Sequence, residues 1–132
     1  MGLDTTHDCW HGAYYAFNRF RNELAKAAGY ELVETEIGEH ADLPWERFEL
    51  KNYEGEWDTP PDDPLLILLV HSDCEYRIPA EYCEHIANRI ERLIPLLPLE
   101  GVGHLAHPQE KATQFVEGLR RAAAAGEDVE FQ

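Results

Sequence analysis

Apolar residues recur at steps of three and four positions in three separate segments of this 132-residue chain. That spacing places them along one face of an α-helix, and each such face has to be buried against another element of the fold. Helices are therefore predicted over about residues 7–28, from Pro79 to the prolines at 95 and 98, and from Pro108 to Gly126. The predicted buried faces are formed by Trp10, Ala13, Phe17, Phe20 and Leu24 in the first helix, Cys83, Ile86, Ile90, Leu93 and Leu97 in the second, and Ala112, Phe115, Leu119 and Ala122 in the third.

The remaining apolar segments are short and are typical of strands. The run from Leu65 to Val70 is apolar on both faces, and its length favours a buried strand, although its leucine content leaves a helix open. One or two half-exposed strands are predicted between residues 29 and 64, and an edge strand is predicted over Val129–Phe131. Because strands and helices do not alternate regularly, the pattern indicates an α+β fold, with about three helices packed on a small sheet as a single pair of layers. The length fits a single globular domain spanning residues 1–132.

Composition excludes several classes of protein. With 44% hydrophobic and 28% charged residues, the chain is typical of folded proteins rather than of disordered ones. Its longest apolar run falls far short of the roughly 18 residues that a membrane span needs, so no membrane partner is expected. The formal net charge of −15 opposes direct binding to nucleic-acid phosphates. Three cysteines without a C-x-x-C pair predict reduced thiols and a cytoplasmic location, with one disulfide bond left open.

Most of the negative charge lies in one part of the chain. Residues 31–63 contain twelve acidic and two basic residues, a net charge of −10. One hypothesis is an acidic inhibitor, of the immunity or counter-defence type, that binds a basic partner through this segment, because a field of that size speeds and selects association. The other interpretation is that the charge serves solubility alone.

The histidines predict a metal site. His7 and His11 are four positions apart, so in the predicted first helix they lie on the same face. His71 and Asp73 follow the predicted strand, where polar side chains commonly face a cleft. Together these residues predict a small soluble binding protein with a divalent-metal cleft, and the mixed nitrogen and oxygen ligands suit zinc best. The alternative is structural: histidines that form hydrogen bonds at a helix start, and a turn folded by Ser72 and Asp73.

The same groups are also compatible with a small metal-dependent enzyme. Further residues that can belong to the cleft are Asp8, Cys74, His104 and His107. Two kinds of group serve acid–base chemistry here, namely bases (Asp8, Asp73 and Glu75) and proton carriers near neutral pH (His71 and His11). No spacing among them specifies a reaction, and the nucleophile elbow, the P-loop and the dinucleotide fingerprint are missing from the sequence. A non-catalytic role is therefore favoured over an enzymatic one.

Four blocks of the chain carry a resemblance. They are residues 1–14, which include HDCWHGAY, residues 63–74, which end in HSDC, and residues 86–98 and 111–131. These blocks resemble a family of uncharacterised small acidic proteins of bacteria and tailed phages. In that family an acid and then a glycine often follow HSDC; Glu75 keeps the acid, and Tyr76 replaces the glycine. The resemblance implies a bacterial or phage source, with a bacterial or host cytoplasm as the location, and it implies no particular activity.

Overall fold

Four α-helices and four pairs of short strands are present in the part of the chain that the structure describes. The computed structural model describes residues 2–36, 38–50, 56–70, 76–101 and 105–132. In this part of the chain the α-helices are α1 (Tyr14–Ala27), α2 (Leu65–Leu69), α3 (Ala80–Leu93) and α4 (Pro108–Ala125). The antiparallel strand pairs are β1 (Gly2–Asp4) with β2 (His11–Ala13), β3 (Leu32–Thr35) with β4 (Gly38–Ala41), β5 (Glu49–Leu50) with β6 (Trp57–Thr59), and β7 (Tyr76–Ile78) with β8 (Val129–Phe131). The α+β class is confirmed, with two-stranded ladders in place of one small sheet.

Two of the predicted helices form where the sequence places them. Pro79 immediately precedes α3 and Pro108 is the first residue of α4, as expected for a residue that lacks an N–H and fits the first helical turn. Gly126 follows α4 with a left-handed φ of 67°, a conformation that glycine adopts without a Cβ clash. The predicted apolar faces of both helices are buried. The periodic spacing of apolar residues was therefore sufficient to place these two elements.

Aromatic side chains from distant parts of the chain meet in the core. The ring centroid of Trp10 lies 5.2 Å from that of Phe17 and 5.3 Å from that of Phe20. Phe115 of α4 stacks on Phe17 at 6.3 Å. All four side chains are fully buried. Burial of each large apolar side chain contributes roughly 1.5–3 kcal/mol, so this cluster is a major source of the free energy that holds α1 against α4.

The predicted start of the first helix is wrong. Residues 11–13 form strand β2, a 3-10 turn occupies Thr6–Asp8, and α1 begins only at Tyr14. The hydroxyl oxygen of Thr5 accepts a hydrogen bond from the backbone N–H of Trp10 at 3.0 Å. Trp10 precedes α1, but its buried side chain packs on Phe17 and Phe20 and so belongs to the same apolar cluster as the stripe of α1.

The run from Leu65 to Val70 is a helix and not the strand that its length favoured. The backbone N–H of Leu65 donates to Asp63 Oδ1 at 3.0 Å, and that of Leu66 donates to the Asp63 carbonyl at 3.0 Å, so Asp63 organises the first turn. Four consecutive side chains of α2, at positions 65–68, are buried. A short helix buried on all sides has the same apolar signature as a buried strand, and leucine favours the helix because it is not β-branched.

The two ends of the described chain pair with each other. Thr5 forms a bridge with Phe131, and Asp4 and Gln132 exchange backbone hydrogen bonds of 3.3 and 2.8 Å. Strand β8 forms as predicted, with Val129 and Phe131 buried and Glu130 exposed. Because β8 also pairs with β7, the bridge between Thr5 and Phe131 connects the β1–β2 ladder to the β7–β8 ladder.

The acidic part of the chain forms two strand pairs over a small core of its own. In the β3–β4 hairpin, Val33 lies opposite His40 and Glu34 lies opposite Glu39. The small core contains Phe48, which packs edge-on against Trp57 at 5.7 Å and shares a buried cluster with Leu66 of α2. This cluster anchors the segment while leaving its charged side chains at the surface.

Candidate functional site

Three of the predicted site residues lie in the turn between β1 and β2. His7 and Asp8 adopt left-handed backbone conformations, with φ values of 59° and 55°, and His11 opens β2. His107 precedes α4, also with a left-handed φ, and its side chain is exposed. The remaining predicted site residues lie outside the described residues. They are His71, Asp73, Cys74 and His104, together with the proposed base Glu75.

Both ring nitrogens of His11 are engaged by carboxylates. Nδ1 lies 2.9 Å from Asp4 Oδ1, and Nε2 lies 3.0 Å from Asp8 Oδ1. The hydrogen bonds to Asp4 and then to Asp8 raise the pKa of His11 above its ordinary 6.5. In the charged form the ring donates both protons, so neither nitrogen keeps a lone pair for a metal ion. In this state His11 is a cation that closes the turn.

His7 points to a different partner. Its Nε2 lies 3.4 Å from Oε1 of Glu127, a residue that comes just after the end of α4. The prediction that His7 and His11 share one helical face is wrong, because the chain forms a tight turn and then a strand at these positions. Among the described residues, no group of three or more histidine, cysteine, aspartate or glutamate side chains is arranged to hold a metal ion. The zinc site that includes His71 and Asp73 stays a prediction.

The turn is held closely against α4. Arg121 donates to the carbonyl oxygen of His7 at 2.6 Å, and Gln114 donates to that of Asp8 at 3.0 Å. Lys111 donates to the carbonyl of His11 at 3.3 Å. These contacts explain why the turn can keep two left-handed residues, since such conformations persist only where the surroundings fix them.

The two described cysteines are not poised for nucleophilic chemistry. Cys9 and Cys83 are free thiols with fully buried side chains. Burial raises the pKa of each thiol to about 12, so at neutral pH both are protonated. The sulfur of Cys83 lies 3.5 Å from the carbonyl oxygen of Pro79, as expected for a small side chain packed at a helix start.

The acidic surface is defined here as the exposed carboxylates of the 31–63 segment. Its described members are Glu31, Glu34, Glu36, Glu39, Asp42, Glu46, Glu49, Glu56, Asp58 and Asp62. Apart from Glu56, none of these side chains forms an ion pair with another described residue. Glu34 and Glu39 face each other directly across the hairpin, a like-charge arrangement that destabilises a strand pair. The surface thus carries charge that the described fold does not neutralise.

Asp63, by contrast, is partly buried and forms contacts with the rest of the fold. Its carboxylate accepts hydrogen bonds from Arg89 Nε at 3.1 Å and from the Tyr30 hydroxyl at 2.9 Å, as well as from the Leu65 backbone. Burial would raise the pKa of Asp63, but the hydrogen bonds from Arg89, Leu65 and Tyr30 outweigh burial and hold it below its ordinary value. Burial and the bond to Asp63 raise the pKa of Tyr30 to about 12. This cluster ties the acidic segment to α2 and α3.

A groove lies between α1 and the β3–β4 hairpin. Its cavity volume is about 370 Å³. Asn22 of α1 bridges the two walls, because its Nδ2 donates to the carbonyl oxygen of Glu39 at 2.9 Å. The sequence places Asn18, Arg21 and Asn22 on the polar face of the first helix, but nothing in it indicates that the hairpin packs against that face. The groove was therefore not predicted.

Comparisons with known proteins give no identification. Neither the family models, nor the curated proteins, nor the solved structures contain a match to this chain. The resemblance to a bacterial and phage family stays a prediction. None of the helices in the described ranges is both long enough and apolar enough to cross a membrane.

Proposed function

We propose that this chain is a small binding protein that docks onto a basic protein partner through the acidic surface. The observation that carries this proposal is the set of nine exposed carboxylates that find no ion-pair partner among the described residues. A basic partner supplies the missing positive charge, and association of this kind is fast and strongly dependent on salt.

Two features support docking over a role in solubility alone. Charge that serves solubility is usually interspersed with both signs, whereas residues 31–63 carry twelve acids and two bases. Glu34 and Glu39 repel each other across the hairpin, and a cation placed between them relieves that repulsion. A bound basic side chain would therefore stabilise the hairpin as well as the complex.

The metal and enzyme interpretations receive less support from the described geometry. A metal ion that used His11 would have to displace Asp4 or Asp8 from its ring, and His7 is directed toward Glu127 instead. Cys9 is buried and protonated, so it does not supply a nucleophile. Binding through charge requires neither rearrangement nor a reactive group.

Affinity capture with a matched charge control tests the proposal. The immobilised protein is exposed to lysate of the source organism at low and at high ionic strength. One triple variant neutralises the acidic surface (Glu34→Gln, Glu36→Gln and Glu46→Gln), and a control removes the same charge elsewhere (Glu100→Gln, Glu110→Gln and Glu117→Gln). All six side chains are exposed and unpaired among the described residues.

The expected result is a basic protein that is captured at low salt by the wild type and by the control, but not by the first triple variant. Equal capture by the two triple variants would mean that net charge alone drives the association. Recovery of no basic protein at low salt would contradict the proposal directly.

A further inference from the structure

The groove between α1 and the β3–β4 hairpin combines apolar and polar side chains next to the acidic surface. Val33, Leu43 and Leu69 contribute its apolar side chains. Val33 is 42% exposed, so part of its apolar side chain is accessible to a ligand. A concave site that combines apolar and polar side chains suits a long side chain that buries its methylene groups and keeps its charged end near water.

The charge at the groove favours a cation. Glu39 and Asp42 contribute carboxylates to the lining, and Arg21 contributes one guanidinium. That guanidinium is held along α1, since it donates to Asn18 Oδ1 at 2.6 Å and lies 5.0 Å from the centroid of the Phe17 ring. The lining is therefore net negative, and the neighbouring acids of the hairpin strengthen the field. An anionic ligand is disfavoured at this position.

We infer that this groove receives one basic side chain, an arginine or a lysine, of the protein partner. The inference rests on the proposed function and adds the anchor point to it. Anchors of this kind contribute a large share of binding energy at interfaces, because one side chain fills a pocket while the surrounding contacts exclude water. The stem packs on Val33, Leu43 and Leu69, and the charged end meets the carboxylate of Asp42 or Glu39.

A titration followed by NMR tests the anchor without the partner. The probe is Nα-acetyl-arginine methylamide, which has a guanidinium and no carboxylate, and the control is the corresponding citrulline derivative, which has the same shape and no charge. Saturable shifts are expected in the methyl groups of Val33 and Leu69 and in the side-chain amides of Asn18 and Asn22. The citrulline derivative should produce no saturable shift there.

Two variants locate the site. Asp42→Asn should weaken arginine binding about two- to fivefold, as for a partly exposed ion pair, whereas Glu117→Gln removes one negative charge outside both the groove and the acidic surface and should leave the affinity unchanged. Asp42 is exposed and its backbone N–H bonds to Glu31 in either variant, so the fold should persist. Val33→Lys places a cation of the chain itself in the groove and should abolish saturable binding.

The outcomes separate this inference from the proposed function. Shifts confined to other acidic residues, equal shifts with citrulline, or equal effects of Asp42→Asn and Glu117→Gln would overturn the anchor while capture of a basic protein could still occur. Saturable arginine binding without any captured basic protein would leave the groove as a cation site and would contradict the proposed function.

Discussion

Gly118 of α4 lies directly against Cys9 in the turn between β1 and β2. A Cβ built on Gly118 would fall 2.5 Å from Cys9 Sγ, 2.8 Å from Cys9 Cα and 2.8 Å from the carbonyl oxygen of His7. Two of these three atoms belong to the backbone, so a side-chain rotation cannot make room. The absence of a side chain at position 118 is thus what lets the turn approach α4.

Gly118→Ala should destabilise the protein by about 1–3 kcal/mol, although alanine is the better helix former, because overpacking at the backbone forces the turn away from α4. Urea denaturation measures the change. The double variant with Cys9→Ala should recover little of the loss, since the Cα of residue 9 and the carbonyl of His7 remain in place. Full recovery in the double variant would show that the sulfur alone was the obstacle.

His11 should make stability fall as the pH rises above about 6.5. Its folded-state pKa lies above the unfolded value of about 6.5, so its contribution is fully present below that pH and is lost as the pH rises through the folded pKa. Urea denaturation over a pH series should show this loss in the wild type and a flatter profile in His11→Gln. An NMR titration that places the His11 pKa at or below 6.5 would contradict the double hydrogen bond to Asp4 and Asp8.

Asp63→Asn should destabilise the protein by about 1–3 kcal/mol, because Arg89 and Tyr30 lose a charged acceptor in a partly buried site. The neighbouring substitution Asp62→Asn is the matched control, since Asp62 is exposed and unpaired among the described residues. The folded pKa of Asp63 is lowered, so its contribution exists above the unfolded value of about 3.8 and disappears as the pH falls through the folded pKa. Equal unfolding midpoints for the two variants would contradict this role.

Glu34→Lys should raise stability and reduce partner binding at once. The new lysine faces Glu39, and exchanging a like-charge pair for an opposite pair contributes roughly 0.2–1 kcal/mol to a strand pair. Glu36→Lys makes the same charge change at an exposed position beyond the last paired residue of β3, so it should reduce binding without the gain in stability. Thermal denaturation and low-salt capture measure the two effects, and a loss of stability in Glu34→Lys would show that no repulsion existed to relieve.

Cys9 and Cys83 should resist thiol reagents at neutral pH in the native protein. Both thiols are buried and their pKa values are raised to about 12, so the reactive thiolate is scarce. Labelling with a maleimide, mapped by peptide mass analysis, should modify these two positions only after unfolding in urea. Rapid labelling of Cys9 under native conditions would show that the turn opens readily.

Sequence reasoning succeeded where one physical signal dominated. The helices α3 and α4 follow from apolar spacing and from a proline at the start of each, and local signals of this kind do not depend on the rest of the fold. Strand β8 follows from simple alternation. The segment at 65–70 was ambiguous because burial on all sides removes the periodicity that separates a short helix from a strand.

The site was harder to predict than the fold. Trp10 and Ala13 occur in phase with α1 although they precede it, so periodicity extended the helix over the turn and placed His7 and His11 on one face. What fixes that turn is the contact with Gly118, Gln114 and Arg121, more than 100 positions later. The groove likewise depends on packing between α1 and the hairpin, which no local pattern reports. The acidic segment could be identified because net charge is a property of composition.

The bridge between Thr5 and Phe131 also has a kinetic consequence. During synthesis the residues of β1 emerge before those of β8, and the backbone groups that join the two become available only when nearly all of the described chain has been made. Contacts so distant in sequence form late and slowly. A growing chain that stops before β8 would leave Phe17 without its ring contact to Phe131, so protection of this region from proteolysis should begin only once β8 has been made.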